Sequence, residues 1–151
     1  MIKIMFVCHG NICRSPMAEF LMKDYLKKQG DDNFFIASSA TSREELGNGV
    51  HYGTRAVLNR LGISCQGKRA VQLTQADYDK YDYFIGMDEY NKRNMLRIFG
   101  DDKDGKVSLL LDYTDSPRDV ADPWYTGNFE QTYEDIQLGV ARLYAYIKNR
   151  T

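Results

Sequence analysis

The densest chemistry in this sequence lies in one octapeptide, Cys8-His9-Gly10-Asn11-Ile12-Cys13-Arg14-Ser15. Curled into a compact loop that runs into a helix, such a segment turns its backbone N–H groups inward and forms a cradle for an anion. Arg14 closes the cradle with a planar fork matched to phosphate oxygens. Cys8 stands at the loop entrance, where the positive field of a helix N-terminus favours the thiolate form of a cysteine. It is expected to face a bound phosphate as a nucleophile. Ser15 is placed to donate its hydroxyl to that sulfur and to stabilise it as a leaving group. Gly10 is expected to supply a positive φ and a close approach, and Asn11 to tolerate left-handed geometry and bond its own loop.

Plainer readings compete. A cysteine six residues before an arginine is weak evidence by itself, and a cysteine at a buried strand end often serves as a small hydrophobe. Cys8, His9 and Cys13 together suggest a metal, but no Cys-x-x-Cys pair completes a four-ligand set. Neither metal nor cofactor is expected. His9 reads as a rim residue, since a thiolate in an anion cradle needs no neighbouring base. No G-x-x-x-x-G-K-[ST] and no G-x-G-x-x-G follows the first strand, which argues against nucleotide triphosphate and dinucleotide sites.

The elements around the loop decide its weight. Ile2–Val7 reads as a strand buried on both faces. Ser15 is expected to N-cap a helix with Pro16 at its first position, and Ala18, Leu21, Met22, Tyr25 and Leu26 continue it at helical spacing until Gly30. Phe34–Ala37 is expected as a second strand and Ser38–Gly49 as a long surface loop. A helix over Tyr52–Leu61 follows, then a strand over Asp82–Met87, a helix over Glu89–Phe99 and a strand over Val107–Leu111. Asp112–Gly127 is turn-rich. Phe129, Tyr133, Ile136, Val140, Leu143 and Ile147 step by helical intervals and mark a closing amphipathic helix. Strands alternating with helices predict an α/β fold: a four-stranded parallel sheet with helices on both faces and a phosphate-binding loop after the first strand. Ligands of such sheets sit beyond the strand C-termini, which is where Cys8–Ser15 falls.

Composition bounds the rest. A chain of 151 residues suits a single domain over 1–151. Twenty basic against twenty-one acidic residues give a net charge of -1, so no global field recruits nucleic acid or an acidic membrane. Three cysteines argue against a disulfide framework and for a reducing, cytoplasmic compartment. The apolar stretch Ile4–Val7 is too short for a signal peptide or a membrane span, although export without a signal peptide stays open. A monomer or weak dimer is expected.

The run Val7 to Glu19 resembles the active-site motif of the low-molecular-weight protein tyrosine phosphatases. The resemblance continues through Ser38-Ser39-Ala40-Thr41-Ser42, Gly47-Asn48, Met87-Asp88-Glu89 with Asn91, and Asp122-Pro123-Trp124-Tyr125, so it covers nearly the whole chain in order. It implies a metal-free, two-step phosphatase acting on phosphotyrosine-containing proteins through a phosphocysteine intermediate. Carried over, Cys8 is the nucleophile, Arg14 the phosphate clamp and Asp122 the general acid. An isolated Asp-Pro is usually just a turn; the aromatics Trp124 and Tyr125 beside it and its place in a long loop after the fourth strand favour the acid. An acid is needed because tyrosinate is a poor leaving group until protonated. The loop residues His9 to Ser15, with Glu44, Trp124 and Tyr125, are implied in substrate binding. Ser38 and Asn11 resemble residues that brace the loop, and Asp88 one that orders it. The resemblance also implies redox control by a reversible Cys8–Cys13 disulfide; the alternative is that Cys13 only packs behind the loop.

Four positions depart from the animal enzymes of that family. His9 stands where leucine is common. Gly67 falls where a bracing histidine is found. Glu44 occupies a rim position that is often aromatic, which removes a stacking wall and adds negative charge. Trp124 replaces the first of two tyrosines and leaves Tyr125 as the candidate for regulatory phosphorylation there. Three rivals share features of the loop. An arsenate reductase needs a relay of two further cysteines, and only Cys65 lies downstream. A protein-arginine phosphatase carries Thr where this chain has Ile12, whose branched apolar side chain should accept a phenyl ring and crowd a guanidinium. A non-catalytic phosphotyrosine-binding module would typically lack Cys8 or Asp122.

Overall fold

A computed structural model describes residues 1–150. Its elements are β1 (Ile2–Cys8), α1 (Arg14–Gln29), β2 (Phe34–Ala40), α2 (Tyr52–Arg60), β3 (Tyr83–Gly86), α3 (Glu89–Phe99), β4 (Val107–Leu109), α4 (Pro123–Thr126) and α5 (Phe129–Arg150), with 3₁₀ turns at Gln75–Asp79 and Leu110–Tyr113. The four strands form one parallel sheet in the order β2-β1-β3-β4. The expected α/β architecture is therefore present.

Alternation along β1 explains the two layers. Ile4, Phe6 and Cys8 point into a core shared with α1, α2 and α5, where Met17, Met22, Leu58, Ile136 and Leu143 are buried. Met5 and Val7 point into the other core, packed against Phe84, Leu73, Tyr78, Met95 and Phe99. A strand covered on both faces has no polar side to show, which is why β1 reads as an almost unbroken apolar run. The chain leaves β1 for β2 on one side and later crosses to β3 on the other, so the crevice beyond the end of β1 is the switch point of the sheet.

Several local expectations are corrected. Helix α1 begins one residue earlier than the cap expected at Ser15: Cys13 holds the N-cap position without a side-chain bond, and Pro16 is the third helical residue. That costs nothing, because the first-turn N–H groups lack intrahelical partners anyway. The Ser15 hydroxyl is directed elsewhere. Strand β2 runs on to Ala40, so Ser38, Ser39 and Ala40 are buried sheet residues rather than surface loop. Strand β4 stops at Leu109, and Leu110–Leu111 turn into 3₁₀ geometry and are buried there. Gly30 ends α1 in left-handed geometry as expected, with its N–H on the last-turn carbonyls. No helix among the described residues is long and apolar enough to cross a membrane.

Candidate active site

The loop after β1 wraps around the Cys8 sulfur. The backbone N–H groups of Asn11 and Ser15 point at Cys8 Sγ from 3.3 and 3.4 Å, and Ser15 Oγ lies 3.0 Å away. Asn11 takes the left-handed conformation, with φ 59°, that the tight curl requires. Gly10 does not share it, correcting the positive φ expected there. What Gly10 provides is room, since a Cβ on it would lie 3.3 Å from Glu45 Cγ.

A single orientation chain runs through Asn11. The Val71 N–H donates to Asn11 Oδ1 over 3.1 Å, which fixes the amide so that Nδ2 donates to Ser15 Oγ at 2.8 Å and Ser38 Oγ at 2.9 Å. The Ser38 hydroxyl then donates to Glu19 Oε1 at 2.5 Å. Ser15, already accepting from Asn11, has its proton to direct at Cys8 Sγ at 3.0 Å, the Ser39 carbonyl lying farther off at 3.5 Å. Asn11, Ser15 and Ser38 are each 1% exposed or less, so this order is not scrambled by water.

Arg14 is buried and held on two sides. Its Nη1 donates to Asp88 Oδ2 at 2.7 Å and to the Val120 carbonyl at 2.8 Å, and its Nη2 lies 3.4 Å from Asp122 Oδ2. Burial disfavours the guanidinium charge, but Cys8, Asp88 and Asp122 outweigh it and hold the group above its ordinary range. With Nη1 committed to Asp88 and Val120, Nε and Nη2, the latter only distantly engaged by Asp122, form the parallel edge that can donate to a phosphate. Asp122 also N-caps α4, its Oδ1 accepting from the Trp124 N–H at 3.0 Å with Pro123 as the first helical residue.

One cleft brings most of the expected residues together. Cys8, His9, Gly10, Ile12, Cys13 and Arg14 line it from the loop, Glu44 and Glu45 from the segment after β2, and Asp122, Trp124 and Tyr125 from the turn before α5. Asn11, Ser15, Ser38 and Asp88 lie behind its lining, within the hydrogen-bond chains above. Trp124 and Tyr125 are exposed at the mouth. His9 faces outward at the rim, its Nε2 2.7 Å from Glu44 Oε2. No group of His, Cys, Asp and Glu among the described residues is arranged to hold a metal ion.

Reasoning from the sequence missed three contributors. Lys68 stands beside Gly67, the position where a brace was expected to be lacking. Its Nζ donates to the Ser38 carbonyl at 2.9 Å and lies 3.5 Å from Glu19 Oε1, so a cation does reach that network. Glu19 is a carboxylate buried on α1 among Met17, Ala18, Leu21 and Met22, and a charged residue in that apolar run is the signal the sequence offers. His51 is the third. Its N–H donates to the Ile12 carbonyl at 2.9 Å, while its ring stacks on Phe129 at 5.2 Å and meets the Trp124 edge at 5.6 Å. Burial, and then Arg55, push its pKa below the ordinary imidazole range. A neutral aromatic joint thus links the loop after β1 to the turn that carries Asp122.

Comparison with known proteins agrees with this geometry. Over 151 residues the chain is 41% identical to the low molecular weight protein-tyrosine-phosphatase YfkJ of Bacillus subtilis, covering 98% of this chain and 97% of that one. The crystal structure of YfkJ superposes with a TM-score of 0.96 over 100% of this chain and 97% of that chain, at 39% identity. That of SP-PTP, a low molecular weight protein tyrosine phosphatase from Streptococcus pyogenes, gives 0.87 over 97% of this chain and 93% of that one, also at 39%. Residues 3–151 match the family described as low molecular weight phosphotyrosine protein phosphatase. Likeness of this depth, continuous from the first strand to the last helix, has one meaning: the chain belongs to the low molecular weight phosphotyrosine protein phosphatase family.

Proposed function

We propose that this protein is a protein tyrosine phosphatase that works through a phosphocysteine, with Cys8 as nucleophile, Arg14 as phosphate clamp and Asp122 as general acid. The observation that carries the reading is the convergence on Cys8 Sγ of two backbone N–H groups and the Ser15 hydroxyl, beside a buried arginine whose Nη1 is held by Asp88 and the Val120 carbonyl. Phosphate oxygens seated on the loop N–H groups and on Arg14 bring phosphorus to the sulfur. The sulfur attacks in line, the P–O bond to the phenol breaks, and Asp122 delivers a proton to the departing oxygen. In the second step Asp122 takes a proton from water, whose oxygen attacks phosphorus. The P–S bond breaks and the thiolate returns, stabilised by the Ser15 hydroxyl. Binding is preorganised because the Asn11 and Ser15 N–H groups and the Arg14 guanidinium are already held by the fold.

Ile12 and Trp124 beside the sulfur suit a phenyl ring, which favours phosphotyrosine over phosphoarginine. Cys65 lines a different concavity, with Arg55 and Arg69, so a thiol relay from Cys8 as in an arsenate reductase finds no support. The three free, buried cysteines favour a cytoplasmic setting.

The test is hydrolysis of p-nitrophenyl phosphate beside phosphotyrosyl and phosphoarginyl peptides. Turnover of the first two, unaffected by chelator and blocked by vanadate, is expected. Cys8→Ser should abolish it, because a serine in that cradle is not ionised at neutral pH. Retained turnover in Cys8→Ser, or preference for phosphoarginine, overturns the reading.

A further inference from the structure

The charge at the mouth of the cleft is one-sided. Arg14 is the only Lys or Arg among the described residues that line it, and Asp88 already engages that guanidinium. Glu44, Glu45 and Asp122 also line it. Glu44 is exposed, gives Oε2 to His9 and has no partner on Oε1 among the described residues. Glu45 is half-buried against Gly10 and gives Oε2 to Asn48 at 2.7 Å. Arg43, the adjacent cation in sequence, turns away to Gln72.

From this asymmetry we infer that the cleft selects phosphotyrosines flanked by lysine or arginine and disfavours those flanked by aspartate or glutamate, with Glu44 and Glu45 as the specificity-determining residues. The inference rests on the phosphatase reading and names its substrate class. Glu44 and Glu45 form one wall of the cleft that leads to Cys8, which puts them within reach of the residues flanking a bound phosphotyrosine. The phosphate itself is matched deep in the loop. The rim carboxylates therefore act on what flanks it. Exposed pairs of this kind are individually weak. Two carboxylates acting together on encounter and on the bound complex give about a three- to tenfold preference in kcat/KM, which fades as salt screens them.

Two phosphotyrosyl peptides that differ only in carrying Lys or Asp on both sides of the phosphotyrosine test this, with p-nitrophenyl phosphate as a third substrate. The wild-type protein should favour the Lys peptide by that factor at low ionic strength and lose most of the preference near 0.5 M salt. The double variant Glu44→Gln with Glu45→Gln should bring the ratio of the two peptides to about one. Simple damage to the loop would slow both peptides alike and leave the ratio where it was. Equal rates in wild type, or a ratio unmoved in the double variant, overturn the inference and leave the phosphatase reading standing. Failure to hydrolyse any of the three substrates overturns both.

Discussion

Asp88 and Asp122 use their carboxylates in the same way. Each N-caps a helix with Oδ1, accepting from Asn91 N at 2.8 Å and Trp124 N at 3.0 Å, and each turns Oδ2 toward Arg14, at 2.7 and 3.4 Å respectively. Two helix starts separated by 34 residues are thereby tied to one guanidinium. The shorter contact belongs to the residue with no expected chemistry, the longer to the proposed acid.

The longer contact gives the first expectation. Asn caps a helix as well as Asp does, so Asp122→Asn should keep α4 and lose the proton carrier together with the long contact to Arg14. Hydrolysis of phosphotyrosyl peptides should fall by about 10²–10⁴-fold, the usual worth of general acid catalysis. The loss should shrink for aryl phosphates whose leaving group needs no proton. A series of substituted phenyl phosphates reads this as a steeper dependence on leaving-group basicity.

The shorter contact gives the second. Asp88→Asn also keeps a cap, but the buried Arg14 loses a charge-assisted hydrogen bond of about 1.5–3 kcal/mol. Denaturant unfolding should show a loss of that order. Added phosphate should restore a larger share of stability in the variant than in wild type, because the ligand supplies the missing negative charge.

Lys68 is the third. Burial lowers its pKa, and Glu19 offsets part of that effect without reversing it. The folded state therefore releases this proton at a lower pH than the unfolded chain does. Between those two values the unfolded chain holds more protons, so stability rises with pH. The melting temperature of wild type relative to Lys68→Met should accordingly increase as pH climbs through the range just below the ordinary lysine value of 10.5. The same variant should lower kcat more than it changes KM, since Lys68 touches Ser38 and Glu19 rather than the cleft lining.

Oxidation is the fourth. Burial above all, with the neighbouring Cys8 and Asp122, pushes the Cys13 thiol up to about 12. As the thiol that captures an oxidised Cys8, it should react slowly at neutral pH and faster as pH rises, close to tenfold per unit while it stays far below that value. Peroxide should inactivate the enzyme, thiol reductant should restore it and phosphate should protect it. Peptide mapping should find the Cys8–Cys13 link with Cys65 free, and Cys13→Ser should fail to recover. Full recovery of Cys13→Ser would assign Cys13 to packing alone.

What the sequence determined by itself is what neighbours along the chain decide. The β1 run, the loop from Cys8 to Ser15 and the spacing of α5 declare themselves because strand and helix periods are local. The Gly30 stop and the start of α3 after Asp88 rest on single residues with distinct backbone chemistry. Where local signals conflicted, tertiary packing won. Ser15 carries the residue type of a cap, yet its hydroxyl goes to the sulfur because Asn11, held by Val71 from sixty positions away, donates into it. Ser38 to Ala40 look like loop, yet they pair with Phe6 to Cys8 and complete the sheet. Only the folded chain brings Asp122 to Arg14 across 108 positions, Asp88 to it across 74, and Lys68 to the Ser38 carbonyl across 30. Those meetings carry no period and no fixed spacing. They arise because parallel strands joined by crossovers deliver their C-terminal ends to one edge of the sheet, whatever length of chain lies between them.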